Sequence, residues 1–198
     1  FVAVIFPSLN AQEYSKALAK VEPCTVLIRT LDGAKAKGLG TGFFISGDGL
    51  LVTNAHVVDG ASSAVVQLSN GLVTSVISVK AIFPDADIAI LQTGLKKSDH
   101  LKLAVAKSPE KGSGIAVLGN PLGLEFSLST GVVSGFRKTE AAEYVQFTAA
   151  ISQGSSGSPV FDTEGNVIGI ATMYKRDGQN LNFAVSAQTI SALIERAD

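Results

Sequence analysis

Short runs of Val, Ile, Leu, Phe and Thr recur along this chain, and Gly, Asn or Asp closes most of them. β-Branched and aromatic side chains pack well on a pleated surface, and runs of this kind at this spacing fit closed antiparallel barrels in an all-β protein. The expected strands cover residues 24–30, 42–45, 50–54, 65–68, 74–83 and 88–92, then 115–119, 125–134, 144–148, 159–161, 167–174 and 181–185. Between the two sets, residues 96–114 carry Lys96-Lys97 and Ser108-Pro109-Glu110-Lys111-Gly112 without a long apolar run. A solvated crossing is expected there. Asp32-Gly33 reads as a hairpin turn with Lys35-Ala36-Lys37-Gly38 as its solvated arm. Two short helices flank the strands. Tyr14, Ala17, Leu18 and Val21 have helical spacing before Pro23, and Ile190, Leu193 and Ile194 share a face within 187–196 after Ser186, a candidate N-cap.

The chemistry-bearing stretch is Gly154-Ser155-Ser156-Gly157-Ser158-Pro159. A serine between glycines on a tight turn can offer a hydroxyl nucleophile beside outward-pointing backbone N–H groups. Taken alone, it reads first as a Ser/Gly-rich hairpin turn. A serine nucleophile needs a base, and the chain has two histidines. His100 stands in the charged run Lys96-Lys97-Ser98-Asp99-His100, whereas His56 follows an apolar run within Thr53-Asn54-Ala55-His56-Val57-Val58. His56 is therefore the candidate base, with a structural histidine as the other reading. Asp87 leads directly into Ile88-Ala89-Ile90-Leu91, where an unpaired charge is costly. It can fix the imidazole, or it can be an ordinary turn residue like Asp85.

The order His56, Asp87, Ser156 is that of chymotrypsin-like proteases. Gly40-Thr41-Gly42-Phe43-Phe44-Ile45, Thr53-Asn54-Ala55-His56-Val57-Val58, Asp87-Ile88-Ala89-Ile90-Leu91, Gly119-Asn120-Pro121-Leu122-Gly123, Ser129-Thr130-Gly131-Val132-Val133-Ser134-Gly135 and Leu181-Asn182-Phe183-Ala184-Val185 follow one another. Together these blocks resemble the HtrA/Deg family of trypsin-like serine proteases. The resemblance implies two six-stranded antiparallel β-barrels facing each other across a cleft. The N-terminal barrel falls at about 22–95 and the C-terminal one at about 115–186, within a protease domain over 12–198. It implies His56, Asp87 and Ser156 as the triad, an oxyanion hole at Gly154, Ser155 and Ser156 served by the N–H groups of Gly154 and Ser156, and no cofactor. By family register Ala150 lies at the base of the specificity pocket, with Ala171, Thr172 and Phe183 as walls. Small to medium uncharged side chains are the expected preference. The same alanines are also what barrel core requires.

Two departures stand out. Ser155 and Ser158 occupy places where the family usually has Asn and Gly, and Ser158 brings a Cβ into a crowded turn. Only Ser156 is in register as nucleophile. Family members often carry a PDZ domain after the protease domain; the sequence ends at Asp198, which a longer parent chain or a stand-alone domain accommodates equally.

With 16 basic and 17 acidic side chains, nothing predicts a nucleic-acid footprint. One cysteine and two separated histidines make no typical zinc site, so no metal is expected, and Cys24 reads as a buried structural residue. Phe1-Val2-Ala3-Val4-Ile5-Phe6 before Pro7-Ser8-Leu9-Asn10-Ala11 resembles the end of a secretory signal cut after Ala11; a first buried strand is the alternative. The run is too short to span a bilayer, and no membrane insertion of the mature domain is expected. The expectation is thus an extracytoplasmic endopeptidase acting on unfolded or exposed polypeptide in protein quality control, with homo-oligomers compatible. The alternative is a protease-fold binding or chaperone-like module with weak or partner-activated hydrolysis.

Overall fold

The computed structural model describes residues 11–120, 126–172 and 182–197. The leader expectation falls on residues 1–10, which lie outside the described residues. Ala11, the expected cut, is the first residue of helix α1 (Ala11–Val21). A 3-10 turn, Glu22–Cys24, joins α1 to the first strand.

Two closed barrels of six strands follow, every strand pairing antiparallel. The first contains β1 (Thr25–Asp32), β2 (Lys35–Phe44), β3 (Leu50–Thr53), β4 (Ser63–Leu68), β5 (Val73–Phe83) and β6 (Ile88–Thr93), in the order β1-β2-β3-β6-β5-β4. The second contains β7 (Gly114–Gly119), β8 (Ser127–Lys138), β9 (Glu143–Phe147), β10 (Pro159–Phe161), β11 (Val167–Thr172) and β12 (Asn182–Ser186), in the order β10-β11-β12-β9-β8-β7. Closure removes the sheet edges that would otherwise pair with other chains. The one-turn helix α2 (Ala55–Val58) carries His56, and α3 (Ala187–Glu195) follows the last strand. Ser186 caps α3 as expected, its Oγ accepting from Thr189 N–H at 3.2 Å.

Side chains alternate across each strand, which divides the apolar residues among three cores. Val26, Ile28, Phe44, Leu51, Ala89 and Leu91 fill the first barrel, and Ile115, Val117, Phe147, Val160, Ala171 and Ala184 fill the second. Their strand neighbours face outward into a shared core: Phe43, Val52, Ile88 and Ile90 from the first barrel meet Ala116, Leu118, Phe161, Ile170 and Val185 from the second. Tyr14, Ala17 and Val21 of α1 and Ile190 and Leu193 of α3 complete it. This is why β6, β7 and β11 read as continuous apolar runs, since both of their faces are buried. Each fully buried Phe or Leu contributes about 1.5–3 kcal/mol.

Three expectations need correction. The strand expected over 42–45 begins earlier: Lys35-Ala36-Lys37-Gly38, the solvated arm of the hairpin, is the first part of β2, because backbone pairing from Asp32↔Lys35 onward carries the hairpin past its apolar half. Its side chains are exposed, which is why composition hid it. β8 likewise runs on to Lys138, whose Nζ meets Glu143 Oε1 at 2.7 Å across the strand pair. The crossing between barrels is not wholly solvated: Leu101 is buried in the shared core, and its N–H donates to Phe44 C=O at 2.9 Å.

Cys24 closes the 3-10 turn, buried, with its Sγ 3.3 Å from Lys20 C=O. Burial first, and then the charge of Asp99, push its thiol up to about 12. A thiol so shifted is protonated and unreactive at neutral pH, in keeping with a packing role.

Candidate active site

Asp87 sits at the junction of a 3-10 turn (Pro84–Ala86) and β6, in the left-handed region at φ 55°. Aspartate is among the few side chains that tolerate this conformation. It turns both the carbonyl and the carboxylate toward α2. The carbonyl accepts from Ala55 N–H at 3.2 Å and from Asn54 Nδ2 at 2.9 Å, fixing the start of that helix. The carboxylate accepts from His56 N–H at 3.0 Å and lies 2.8 and 3.0 Å from His56 Nδ1. Thr172 Oγ1, at the end of β11 in the other barrel, donates to Asp87 Oδ2 at 2.8 Å.

Burial pushes the Asp87 carboxyl up, but the hydrogen bonds from the His56 ring and backbone and from Thr172 outweigh it, and the net direction is down. Asp87 is therefore ionised at neutral pH and can only accept. Nδ1 of His56 must carry the proton, which leaves the Nε2 lone pair available as a base. The His56 side chain is 48% exposed, so the ring is open to an incoming molecule.

The segment 152–158 can be accounted for group by group. Ser155 N–H donates to Ser152 C=O at 2.9 Å, and Ser158 N–H donates to Ser155 C=O at 3.1 Å. Gly157 N–H reaches Ala171 C=O at 2.9 Å, one residue before Thr172, and Ala171 N–H returns a bond to Ser158 C=O at 2.8 Å. From the first barrel, Thr41 N–H donates to Ser156 C=O and Thr41 Oγ1 donates to Gly154 C=O, each at 2.8 Å. Among the described residues, the N–H groups of Gln153, which is exposed, and of Gly154 and Ser156 have no acceptor. Ser155, expected to share in anion binding, has its own N–H engaged.

Gly154 and Gly157 both have positive φ, 95° and 87°. A Cβ on Gly157 would stand 1.8 Å from Thr41 C=O, so glycine is required there by close approach as well as by conformation. Ser156 is nearly buried, and no hydrogen bond joins its Oγ to His56 among the described residues. Catalytic contacts of this kind often tighten only with substrate in place.

The expected specificity residues part company. Ala150 is exposed and lines a cavity of about 250 Å³ with Val117, Leu128, Ile151 and Ser155, and none of the other three lines it. Ala171 is core of the second barrel. Thr172 pairs with Phe183 across β11 and β12, but its hydroxyl is committed to Asp87. Residues 173–181, which follow Thr172, lie outside the described residues. Thr172 was therefore legible as a neighbour of the site but not as a partner of the acid; the only signal is a hydroxyl ending the apolar run of β11. His100 is exposed and stands apart from this arrangement.

A histidine oriented by a carboxylate that is tied through the end of β11 to a serine loop with unengaged N–H groups is an arrangement a serine hydrolase can use. A trypsin-like peptidase domain model matches residues 40–170. The chain belongs to the trypsin-like peptidase family.

Within that family it is similar to serine proteases of the HtrA/Deg type, among them one named HTRA2 and several named DegP-like. The putative serine protease HhoB of Synechocystis is 32% identical over 171 residues, covering 81% of this chain and 40% of that protein. A probable periplasmic serine endoprotease DegP-like from Halomonas elongata is 35% identical over 156 residues, covering 75% of this chain and 33% of that protein. The chain thus spans well under half the length of these relatives. The serine endoprotease from Yersinia pestis superposes with a TM-score of 0.84 at 24% identity, covering 93% of this chain and 66% of that one, which shows the shared fold.

Ser158 of this trypsin-like domain carries a cost. Ser158 is fully buried, and its Oγ has no hydrogen-bond partner among the described residues. A Cβ on Gly119 would meet that Oγ at 2.2 Å, so the hydroxyl lies against bare backbone. Ser158→Ala is expected to raise the unfolding free energy by about 1–2 kcal/mol, read by chemical denaturation; an unchanged or lower value contradicts the unpartnered hydroxyl.

The lowered carboxyl of Asp87 also has a sign. A group whose folded-state pKa lies below its unfolded one contributes stability that is full at neutral pH and is lost as the pH falls through the folded-state value. In acid titrations followed by circular dichroism, the stability advantage over Asp87→Asn is expected to shrink as the pH falls through the carboxylate range. An advantage constant across that range contradicts an ionised, hydrogen-bonded Asp87.

Proposed function

We propose that this chain is a serine endopeptidase that hydrolyses unfolded or exposed polypeptides through an acyl-enzyme. The observation that carries this reading is the His56–Asp87 pair, in which an acceptor-only carboxylate holds Nδ1 and leaves Nε2 basic. In the proposed sequence Ser156 Oγ attacks a peptide carbonyl carbon while His56 Nε2 takes the hydroxyl proton. The carbonyl oxygen, now negative, is received by the N–H groups of Gly154 and Ser156, neither of which has an acceptor among the described residues. His56 then gives its proton to the leaving amine, and water repeats the steps to release the acid and restore Ser156. Asp87 stabilises the imidazolium throughout, and Thr172 steadies Asp87 from the other barrel.

Relatives named probable periplasmic serine endoproteases support an extracytoplasmic setting; a role in protein quality control is part of the proposal and rests on the proposed substrates. No helix among the described residues is long and apolar enough to cross a membrane. The half-exposed imidazole can be reached by a chain segment in extended form, which an unfolded polypeptide presents readily.

Labelling with a fluorophosphonate probe tests the reading. The intact protein is expected to label at Ser156, Ser156→Ala to lose labelling, and His56→Ala to lower casein turnover by about 10⁴-fold. Failure of the intact protein to label under any condition contradicts the hydrolase and leaves a binding module.

A further inference from the structure

Thr41 is fully buried on β2, and every polar group it owns is engaged. Its carbonyl accepts from Thr53 Oγ1 at 2.7 Å, and its N–H donates to Ser156 C=O at 2.8 Å. The hydroxyl proton can be placed by elimination. Asn120, at the end of β7, donates both its backbone N–H, at 3.2 Å, and its side-chain Nδ2, at 3.1 Å, to Thr41 Oγ1. The amide orientation is fixed in turn, because Asn120 Oδ1 accepts from Phe126 N–H at 3.0 Å. Both lone pairs of the Thr41 hydroxyl are thus occupied by donors. Its single proton points at the remaining neighbour, Gly154 C=O, 2.8 Å away.

We propose that Thr41 is a positioning residue for the nucleophile loop, acting through the carbonyls of Gly154 and Ser156, which flank the serine. This rests on the serine-protease reading above. A peptide plane gripped at both ends cannot turn. The 154–155 plane is held by Thr41 at its carbonyl and by Ser152 at its N–H, and the 156–157 plane by Thr41 at its carbonyl and by Ala171 at its N–H. The 155–156 plane, which carries the Ser156 N–H, lies between these two fixed planes and is itself held at the Ser155 carbonyl by Ser158 N–H. The Ser156 N–H therefore keeps one direction before substrate arrives, the 153–154 plane that carries the Gly154 N–H starts from a fixed Gly154 Cα, and such preorganisation makes donors effective toward a developing charge. The clamp also crosses the barrels: β2 belongs to the barrel that carries His56 and Asp87, and the loop belongs to the other. The close approach it demands leaves no room for a Cβ at Gly157.

Thr41→Val keeps the shape and the N–H but deletes the hydroxyl, and Thr41→Ser keeps the hydroxyl. Three measurements on the whole chain separate positioning from bulk stability: kcat and KM on a peptide, the rate of fluorophosphonate labelling, and amide hydrogen exchange of 152–158. Thr41→Val is expected to lower kcat and the labelling rate together by about 10- to 100-fold with KM within about two-fold. Exchange should quicken in 152–158 while the strands of both barrels keep their protection. Thr41→Ser is expected to restore the labelling rate to within about three-fold of the original protein. Wild-type kcat in Thr41→Val, equal impairment in Thr41→Ser, or unchanged exchange over 152–158 overturns the proposal. If the intact protein never labels, the protease reading fails on its own, and the exchange measurement still decides whether Thr41 clamps the loop. Should Thr41→Val not fold, Asn120→Ala removes the Nδ2 donor and is expected to give the same segment-limited rise in exchange; no rise overturns the clamp.

Discussion

A charged carboxylate held where three segments meet is the constraint on which the rest of this structure depends. Asp87 accepts from the backbone and ring of His56 and from Thr172, and its carbonyl anchors the residues that begin α2. His56 and Asp87 belong to one barrel and the serine loop to the other, and among the described residues the Thr172 bond adds a direct polar tie between them to the apolar contact and the Thr41 bonds. Because Gly157 N–H binds Ala171, the residue beside Thr172, one short piece of β11 positions both halves of the site. Apolar packing sets the barrels side by side to within a rotamer, while directional hydrogen bonds set the angle.

The shared core supplies the rigidity that this arrangement requires. Phe43 and Phe161 come from different barrels and are both fully buried in it, with α1 and α3 covering its ends. No disulfide can form from the single cysteine of the sequence, and its buried thiol is shifted out of reactivity. Stability has to come from close packing and satisfied backbone. Ser158, whose hydroxyl has no partner among the described residues, breaks that rule beside the proposed nucleophile, where a residue with no hydroxyl would pack without loss.

Much of this was legible in the sequence, for identifiable reasons. Strands buried on both faces, such as β6 and β11, announce themselves by continuous apolar runs, and the two-barrel architecture followed from their number and from the family blocks. The first half of β2 was not legible, because solvent-facing residues held only by backbone pairing leave no hydrophobic trace. α2 was hidden for another reason: one turn is too short to show a period, and its start is fixed by Asp87 from a distant part of the chain. His56 and Asp87 could be chosen by elimination and chain order, and the structure brings them into contact. The roles of Thr172 and Thr41 could not be read, since a buried threonine in an apolar run looks the same whether its hydroxyl holds an acid, a carbonyl or nothing of consequence. Spacing gives no direction for a side-chain proton; only the neighbours do.

The most direct test of the account is a crystal structure of the protein after reaction with a fluorophosphonate. The account predicts phosphorus bonded to Ser156 Oγ, a phosphonyl oxygen about 3 Å from both the Gly154 and Ser156 nitrogens, and His56 still held through Nδ1 by Asp87. Phosphorus on any other residue, or a phosphonyl oxygen turned away from those two nitrogens, would contradict it.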